Sequence, residues 1–276
     1  MRIPFFHSRT PVVPVIRLTG IIAAGGRGRG TINVENMAGI LDRAFSVRGA
    51  CAVALDVNSP GGSPVQSALV YKRIRALAEE KELPVLAFTQ DVAASGGYWL
   101  ACAADEIFAD ESSILGSIGV ISSGFGLQGL LERVGVERRV HTSGARKGFL
   151  DPFLPEDPED VRRLEALQGE IHQSFRELVR ERRGARLKGA DDQLFSGEFW
   201  TGRKALDLGL IDGLGDLRSV LRQRFGEKVK MRTFGVQAGW LRRRLGAAAT
   251  DRVASDWAEE VITALDARAL WSRYGL

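Results

Sequence analysis

Two stretches of this chain follow the same plan, and the plan leaves few folds open. Residues 52–57 form an apolar, β-branched run of the kind buried on both faces of a parallel sheet. A glycine-rich turn follows, Asn58-Ser59-Pro60-Gly61-Gly62. Ser63 then serves as a helix cap and Pro64 as its first residue, with the helix carried over residues 65–81. The plan recurs at once: residues 84–88 read as a strand, Ser95-Gly96-Gly97 as the turn, and residues 98–104 as a small, apolar helix. Strand, turn, helix and strand in succession predict an α/β fold with a mainly parallel sheet and crossover helices.

The flanking chain fits that plan. Residues 12–18 read as a first strand, with Pro14 suited to its start or to a sheet edge. Ala23 to Gly30 form a basic, glycine-rich loop. It lacks the Gly-Lys-Ser/Thr of a phosphate-cradling loop and reads as a flexible surface loop at the mouth of a groove. Asn33 caps a helix expected over residues 34–48, with Met37, Ile40, Leu41 and Ala44 on one face. Further on, residues 105–110, 118–122 and 136–142 are strand candidates and residues 125–134 a helix. Asp157-Pro158-Glu159-Asp160 opens a long helix running to about Arg183, with Leu164, Leu167, Ile171, Phe175 and Leu178 at helical spacing. Residues 1–225 are expected to form one domain. Residues 226–276 are expected to form a helical carboxy-terminal extension, whose Val253, Trp257, Val261 and Leu265 stripe suits packing or self-association. The acidic residues of that helix argue against a membrane role.

Composition narrows the functional classes. A 45% hydrophobic and 26% charged chain is that of an ordinary globular protein. The formal charge of +4 permits weak attraction to an anionic surface but does not call for nucleic acid. There is no apolar run long enough to span a membrane, and Met1 to His7 lack the apolar core of a signal peptide. Cys51 and Cys102 lie in apolar runs and read as buried, reduced thiols. The expected location is therefore cytoplasmic, with peripheral membrane contact at most. No HExxH and no paired-cysteine spacing is present, so no metal and no cofactor is expected.

The chemistry centres on Ser95. A serine at a strand-to-helix turn projects its hydroxyl from a sharp bend, and backbone N–H groups nearby can receive a developing oxyanion. Gly96 follows the serine directly, and Gly61 or Gly62 in the other turn offers a second donor. Glycine allows backbone to approach a substrate closely.

Taken together, Asn58-Ser-Pro-Gly-Gly62, Ala94-Ser95-Gly96-Gly97-Tyr98, Gly116-Ser117-Ile118-Gly119-Val120-Ile121 and the segment around Arg146-Lys147-Gly148 resemble the SppA-type signal peptide peptidases. These are serine proteases of the ClpP/crotonase superfamily. The resemblance runs from about Val15 to about Leu217. It implies a ClpP/crotonase-like fold, Ser95 as nucleophile, Lys147 as general base 52 residues later, Ser117 as an accessory serine that hydrogen-bonds the lysine, and a homo-oligomer acting on peptide substrates. A lysine base must shed its proton near neutral pH, against a reference pKa of about 10.4, and burial without a carboxylate partner shifts it that way. Gly148, Phe149, Leu150 and Pro152 suit an apolar pocket, whereas Asp151 close by would work in the opposite sense. The membrane anchor that many members of the family carry is not expected here.

Three rivals stand beside that reading. A Ser-His-Asp triad would draw on His7, His141 or His172, of which His141 is nearest in sequence to Lys147. A crotonase-like acyl-CoA enzyme shares the fold but needs no serine nucleophile. A catalytically silent scaffold would not need these residue types together.

Overall fold

In the computed structural model of the 276-residue chain, residues 10–25, 31–144, 146–235, 271–272 and 274 are described. The arginine-rich half of the loop at 26–30 and, of the helical extension expected over 226–276, residues 236–270 lie outside them.

The first half follows the expected alternation. Strand β1 (Val12–Thr19), helix α1 (Val34–Phe45), β2 (Val53–Ser59), α2 (Pro64–Lys81), β3 (Val85–Ala94) and α3 (Gly96–Ala101) succeed one another. Local signals set the helix starts: the Asn33 side chain accepts from Asn36 N–H, and Ser63 from Gln66 N–H ahead of Pro64. Helix α1 ends three residues short of the expected boundary, where Ser46 turns its N–H back onto Asp42 and Ala44.

β4 (Glu106–Ala109), β5 (Ile114–Gly116), α4 (Gln128–Val134), α5 (Pro158–Arg183), α6 (Asp191–Leu194), β6 (Phe199–Thr201), α7 (Gly202–Asp207), β7 (Gly213–Leu214), α8 (Leu217–Phe225) and β8 (Lys230–Phe234) complete the described elements. Two expected strands are absent. Residues 118–122 and 136–142 find no neighbouring strand to pair with, and the strand near the first of them is β5, four residues earlier. β8 lies in the stretch assigned from sequence to the extension, yet it pairs in parallel with β1.

Neighbouring strands run in the order β6-β5-β3-β2-β1-β8, all parallel except the β5–β6 pair. β3 is the pivot. Its first half, Leu86 to Thr89, pairs with β4, and its second half, Val92 to Ala94, pairs with β5. The register against β2 shifts between Val57 and Ser59, so the extra residues of β3 bulge and let the strand change partners before it reaches Ser95.

Alternate side chains bury both faces. Ile16, Leu18, Leu55, Val57, Val85 and Ala87 pack under α1, α2 and α3, while Val13, Val15, Ala54, Leu86 and Phe88 pack under Leu221 of α8. A third, smaller cluster joins Val92 and Ala94 of β3 to Ile114, with Trp271 and Tyr274 from the carboxy-terminus laid over them. Tyr274 also meets the Phe199 ring edge-on at 5.1 Å.

Helix α5 is anchored by its carboxy-terminal half alone. Phe175 stacks on Trp99 of α3 at 4.7 Å, and the buried Arg183 guanidinium grips Asp212 with two bonds of 2.7 and 3.1 Å and Gly209 carbonyl at 3.0 Å. The Tyr98 hydroxyl donates to Leu210 carbonyl at 2.7 Å in the same layer. Leu167 and Ile171 are exposed, so only part of the apolar stripe read from sequence is covered. Cys102 is buried and burial pushes its thiol up to about 12, which leaves it inert; Cys51 is only half-buried, with its thiol toward Val12 carbonyl.

Candidate active site

The apolar strand β3 delivers Ser95 to the surface, and α3 begins immediately behind it. Ser95 has φ 52° and ψ −122°, a conformation rare for a residue with a Cβ. Two backbone bonds hold it there: Ser95 N–H donates to Gly116 carbonyl at 2.8 Å, and Ser95 carbonyl accepts from Trp99 N–H at 3.0 Å. Fixing one residue in such a well costs roughly 1–3 kcal/mol and persists where the surroundings over-determine it. Gly97 is one reason the turn closes, because a Cβ there would lie 2.3 Å from Ser59 carbonyl oxygen.

The Gly61–Gly62 turn from β2 packs directly against this bend. A Cβ on Gly61 would fall 2.8 Å from Ser95 Cβ and 2.9 Å from Gly96 nitrogen. Gly61 N–H is taken by Ser59 hydroxyl at 3.3 Å, and Gly61 carbonyl accepts from Ile22 N–H at 2.9 Å. Gly62 stands against Ile22 on its other side, at φ +138°, and its own N–H has no acceptor among the described residues. Gly96 N–H is likewise without an acceptor, and a Cβ on Gly96 would lie 3.4 Å from Gly62 nitrogen. Of the three glycines expected from sequence to form an oxyanion pocket, the geometry therefore leaves Gly62 and Gly96 with free N–H groups beside Ser95. Gly61 shapes the turn.

Ser117 is next to the residue that receives the Ser95 N–H. It is buried, holds φ 51°, and donates its N–H to Glu198 carbonyl at 2.6 Å. Its hydroxyl has no hydrogen-bond partner among the described residues.

Lys147 is not brought to this cluster. The chain leaves the body after Gly119 and rejoins it through the buried end of α5, and residues 121–148 within this stretch are exposed apart from Leu127, Gln128 and Leu131, which are half-buried, and Ala145, which is not described. Lys147 lies in a turn on this arm, its N–H on Gly144 carbonyl at 3.2 Å, and its ammonium makes no hydrogen bond or ion pair among the described residues. Asp151, which sequence flagged as a competing partner, is occupied otherwise. Phe153 N–H and the Arg138 guanidinium bind its carboxylate and hold it below the usual carboxylate range.

Neither described histidine makes a hydrogen bond to Ser95. His141 is exposed on the arm, His172 faces the carbonyl of Ile118, and His7 lies outside the described residues. A polar groove of about 710 Å³ opens on the α8 side of the sheet, lined by Arg17, Asp56, Gln90, Asp91, Ser113 and Asp216 among others; Ser95 and the glycines are not part of it. No cluster of metal-ligating side chains occurs among the described residues, and no described helix is long and apolar enough to cross a membrane.

The architecture is ClpP/crotonase-like, with a serine raised on a strand-to-helix turn beside unpaired backbone donors. A solved structure of the 1510-N membrane-bound stomatin-specific protease shares this fold, with a TM-score of 0.50 over 81% of this chain and 97% of its own at 15% identity. Residues 77–230 match the pattern of Peptidase family S49. A putative signal peptide peptidase SppA of Enterococcus faecium is 30% identical over 259 residues, 87% of this chain and 75% of the relative. The chain belongs to peptidase family S49. A Brucella abortus protein named Na(+)/H(+) antiporter NhaA is 51% identical over 279 residues. That match takes in 98% of this chain and 38% of the relative, so the chain spans well under half of that protein's length.

Proposed function

We propose that this chain is a serine endopeptidase working through a Ser95–Lys147 dyad and an acyl-enzyme. The observation that supports it most is the strained Ser95 turn facing the free N–H groups of Gly62 and Gly96. A peptide carbonyl seated there meets the Ser95 hydroxyl on one side and both donors at its oxygen. Neutral Lys147 takes the hydroxyl proton as Ser95 Oγ attacks, and returns it to the leaving amine as the peptide bond breaks. Water then repeats the sequence in reverse sense to release the acyl group. Ser117, with its unbonded hydroxyl at the root of the arm, would orient the lysine.

The base must be carried to the serine. A lysine serves as a base only where it is taken out of water, and Lys147 is exposed, so the arm has to be covered before it can act. The arm carries apolar side chains in water, Phe125 at 86% and Ile121 at 64% exposure among them, together with Leu130, Val134, Val136 and Val140. Such a surface favours burial against another copy of the chain. We read the protein as a homo-oligomer in which the arm is covered on assembly. We read its substrates as signal-peptide-like or other small peptides with small or apolar residues before the scissile bond. The cytoplasmic placement with peripheral membrane contact belongs to the same reading, and fractionation of cells tests it.

The test combines variants with a serine-reactive fluorophosphonate. Ser95→Ala abolishes both labelling and peptide cleavage. Lys147→Ala abolishes cleavage, and Lys147→Arg does not restore it, since arginine stays protonated. Mixing the Ser95→Ala and Lys147→Ala proteins restores part of the activity if the lysine acts on the serine of another copy. Full cleavage by Lys147→Ala would sink the dyad.

A further inference from the structure

The arm has two roots. At the first, Gly116 to Gly119 are clamped to the body: Gly116 carbonyl takes Ser95 N–H, Ser117 N–H reaches Glu198 carbonyl, and Gly119 N–H turns back to Ser117 carbonyl at 2.9 Å. Gly119 also passes so near Gly197 that a Cβ on it would lie 3.0 Å from Gly197 Cα. At the second root, Asp157 caps α5 through Glu159 N–H, and the helix overhangs the body until Phe175 and Val179 bury. His172 sits where the overhang meets the body. Its Nε2 lies 3.1 Å from the carbonyl oxygen of Ile118, a residue that is itself fully buried.

A carbonyl oxygen only accepts, so Nε2 carries the hydrogen and donates. Among the described residues this side-chain hydrogen bond ties one root of the arm to the other, and it falls one residue after Ser117 and two after the carbonyl holding Ser95. We propose that His172 is a positioning residue of the peptidase reaction: by locking Ile118 to α5 it fixes the direction in which the arm presents Lys147. The proposal rests on the Ser95–Lys147 reading. His172 touches neither the serine nor the bound peptide, and its effect passes through the arm.

The size of the effect follows from the bond. A single side-chain hydrogen bond to a buried carbonyl biases a two-state orientation by about tenfold. The folded body should survive its loss, because the Trp99–Phe175 stack and the Arg183–Asp212 pair still anchor α5. A smaller population with a correctly aimed arm lowers kcat and leaves KM unchanged.

The experiment compares His172→Ala and His172→Gln with the wild-type protein on a fluorogenic peptide, with thermal melts run alongside. Glutamine places an N–H donor within similar reach of the same carbonyl. His172→Ala is expected to lose about tenfold in kcat, with KM within about twofold and a melting temperature lowered by no more than about 4 °C, while His172→Gln stays within about threefold of wild type. Wild-type kcat in His172→Ala overturns the proposal. So does equal loss in both variants, or a loss that comes with a fall in melting temperature of more than about 4 °C. Lys147→Ala is assayed beside them. If it is inactive while His172→Ala is normal, only the role of His172 fails; if it is fully active, the dyad itself fails.

Discussion

Gly61→Ala is the substitution that most directly probes how the Ser95 turn is built. The added methyl would sit 2.8 Å from Ser95 Cβ and 2.9 Å from both Ala94 carbonyl oxygen and Gly96 nitrogen. Ordinary non-bonded contact lies near 3.5–4.0 Å, and none of these three atoms can rotate aside. Gly61 also holds φ +105°, where a side chain adds backbone strain of about 1–3 kcal/mol. Overpacking adds about 1–3 kcal/mol. The strain of roughly 2–6 kcal/mol can be relieved only by moving the Gly61–Gly62 turn away from Ser95. That shift carries Gly62 N–H off the position of the oxyanion, and loss of one such donor costs about 10²–10³ in rate. Peptide cleavage by Gly61→Ala should therefore fall at least about 100-fold, and its melting temperature by roughly 5–10 °C. Gly49→Ala is the control. Gly49 has φ +78° but nothing within 4 Å of its Cβ position, so it brings the backbone strain without the collision and should leave the rate unchanged. A Gly61→Ala protein that cleaves at the wild-type rate would refute the reasoning.

Two further predictions concern the frame around the site. Burial pushes Asp212 upward, but the Arg183 guanidinium, the Ile107 N–H and Arg186 outweigh it and hold the carboxyl below its usual range. A lowered folded-state value stabilises above the unfolded carboxyl value of about 3.9 and is lost as pH falls through it. Urea midpoints should thus hold level down to about pH 4 and then drop. Asp212→Asn should lower the neutral midpoint, by stranding the buried Arg183 at a cost of about 3–5 kcal/mol, and flatten the acid limb; parallel pH curves for the two proteins would contradict this. Tyr274→Ala removes a ring from Val92, Ala94 and Phe199 and should lower the melting temperature by roughly 4–8 °C. An unchanged calorimetric melt would show that the carboxy-terminal residues do not brace β3.

What could be read from the sequence is what is decided locally. Ser63-Pro64 and Asp157-Pro158 announce their helices because a cap and a first-position proline act within one turn, and both starts fall where expected. The Ser95 and Gly61–Gly62 turns were equally legible, since each places glycine where no side chain fits. Strands depend on distant partners. Residues 136–142 read as a strand but meet no neighbour. The three residues of β5 form one because Phe199–Thr201, more than 80 residues later, pair with them. The apolar spacing of α5 says that a stripe exists, not that something covers it, and Leu167 and Ile171 are bare. The bond from His172 to Ile118 carbonyl has no sequence signal at all, because any carbonyl can accept it.

The two halves of the proposed dyad differ in kind for a physical reason. An oxyanion pocket works by being rigid before the charge forms, so it belongs in the dense part of the fold. The backbone proposed to form it is held by Ile22, Ser59 and Gly116. A lysine base works only once it is desolvated, which requires a cover. On the Ser95–Lys147 reading, the single chain supplies the first condition in full and leaves the second open. Its serine stands ready and its lysine stands in water. Cleavage then waits on whatever buries the arm. A serine hydroxyl without its base is nearly inert, so the uncovered chain would be quiescent, and its activity should rise with protein concentration more steeply than in direct proportion.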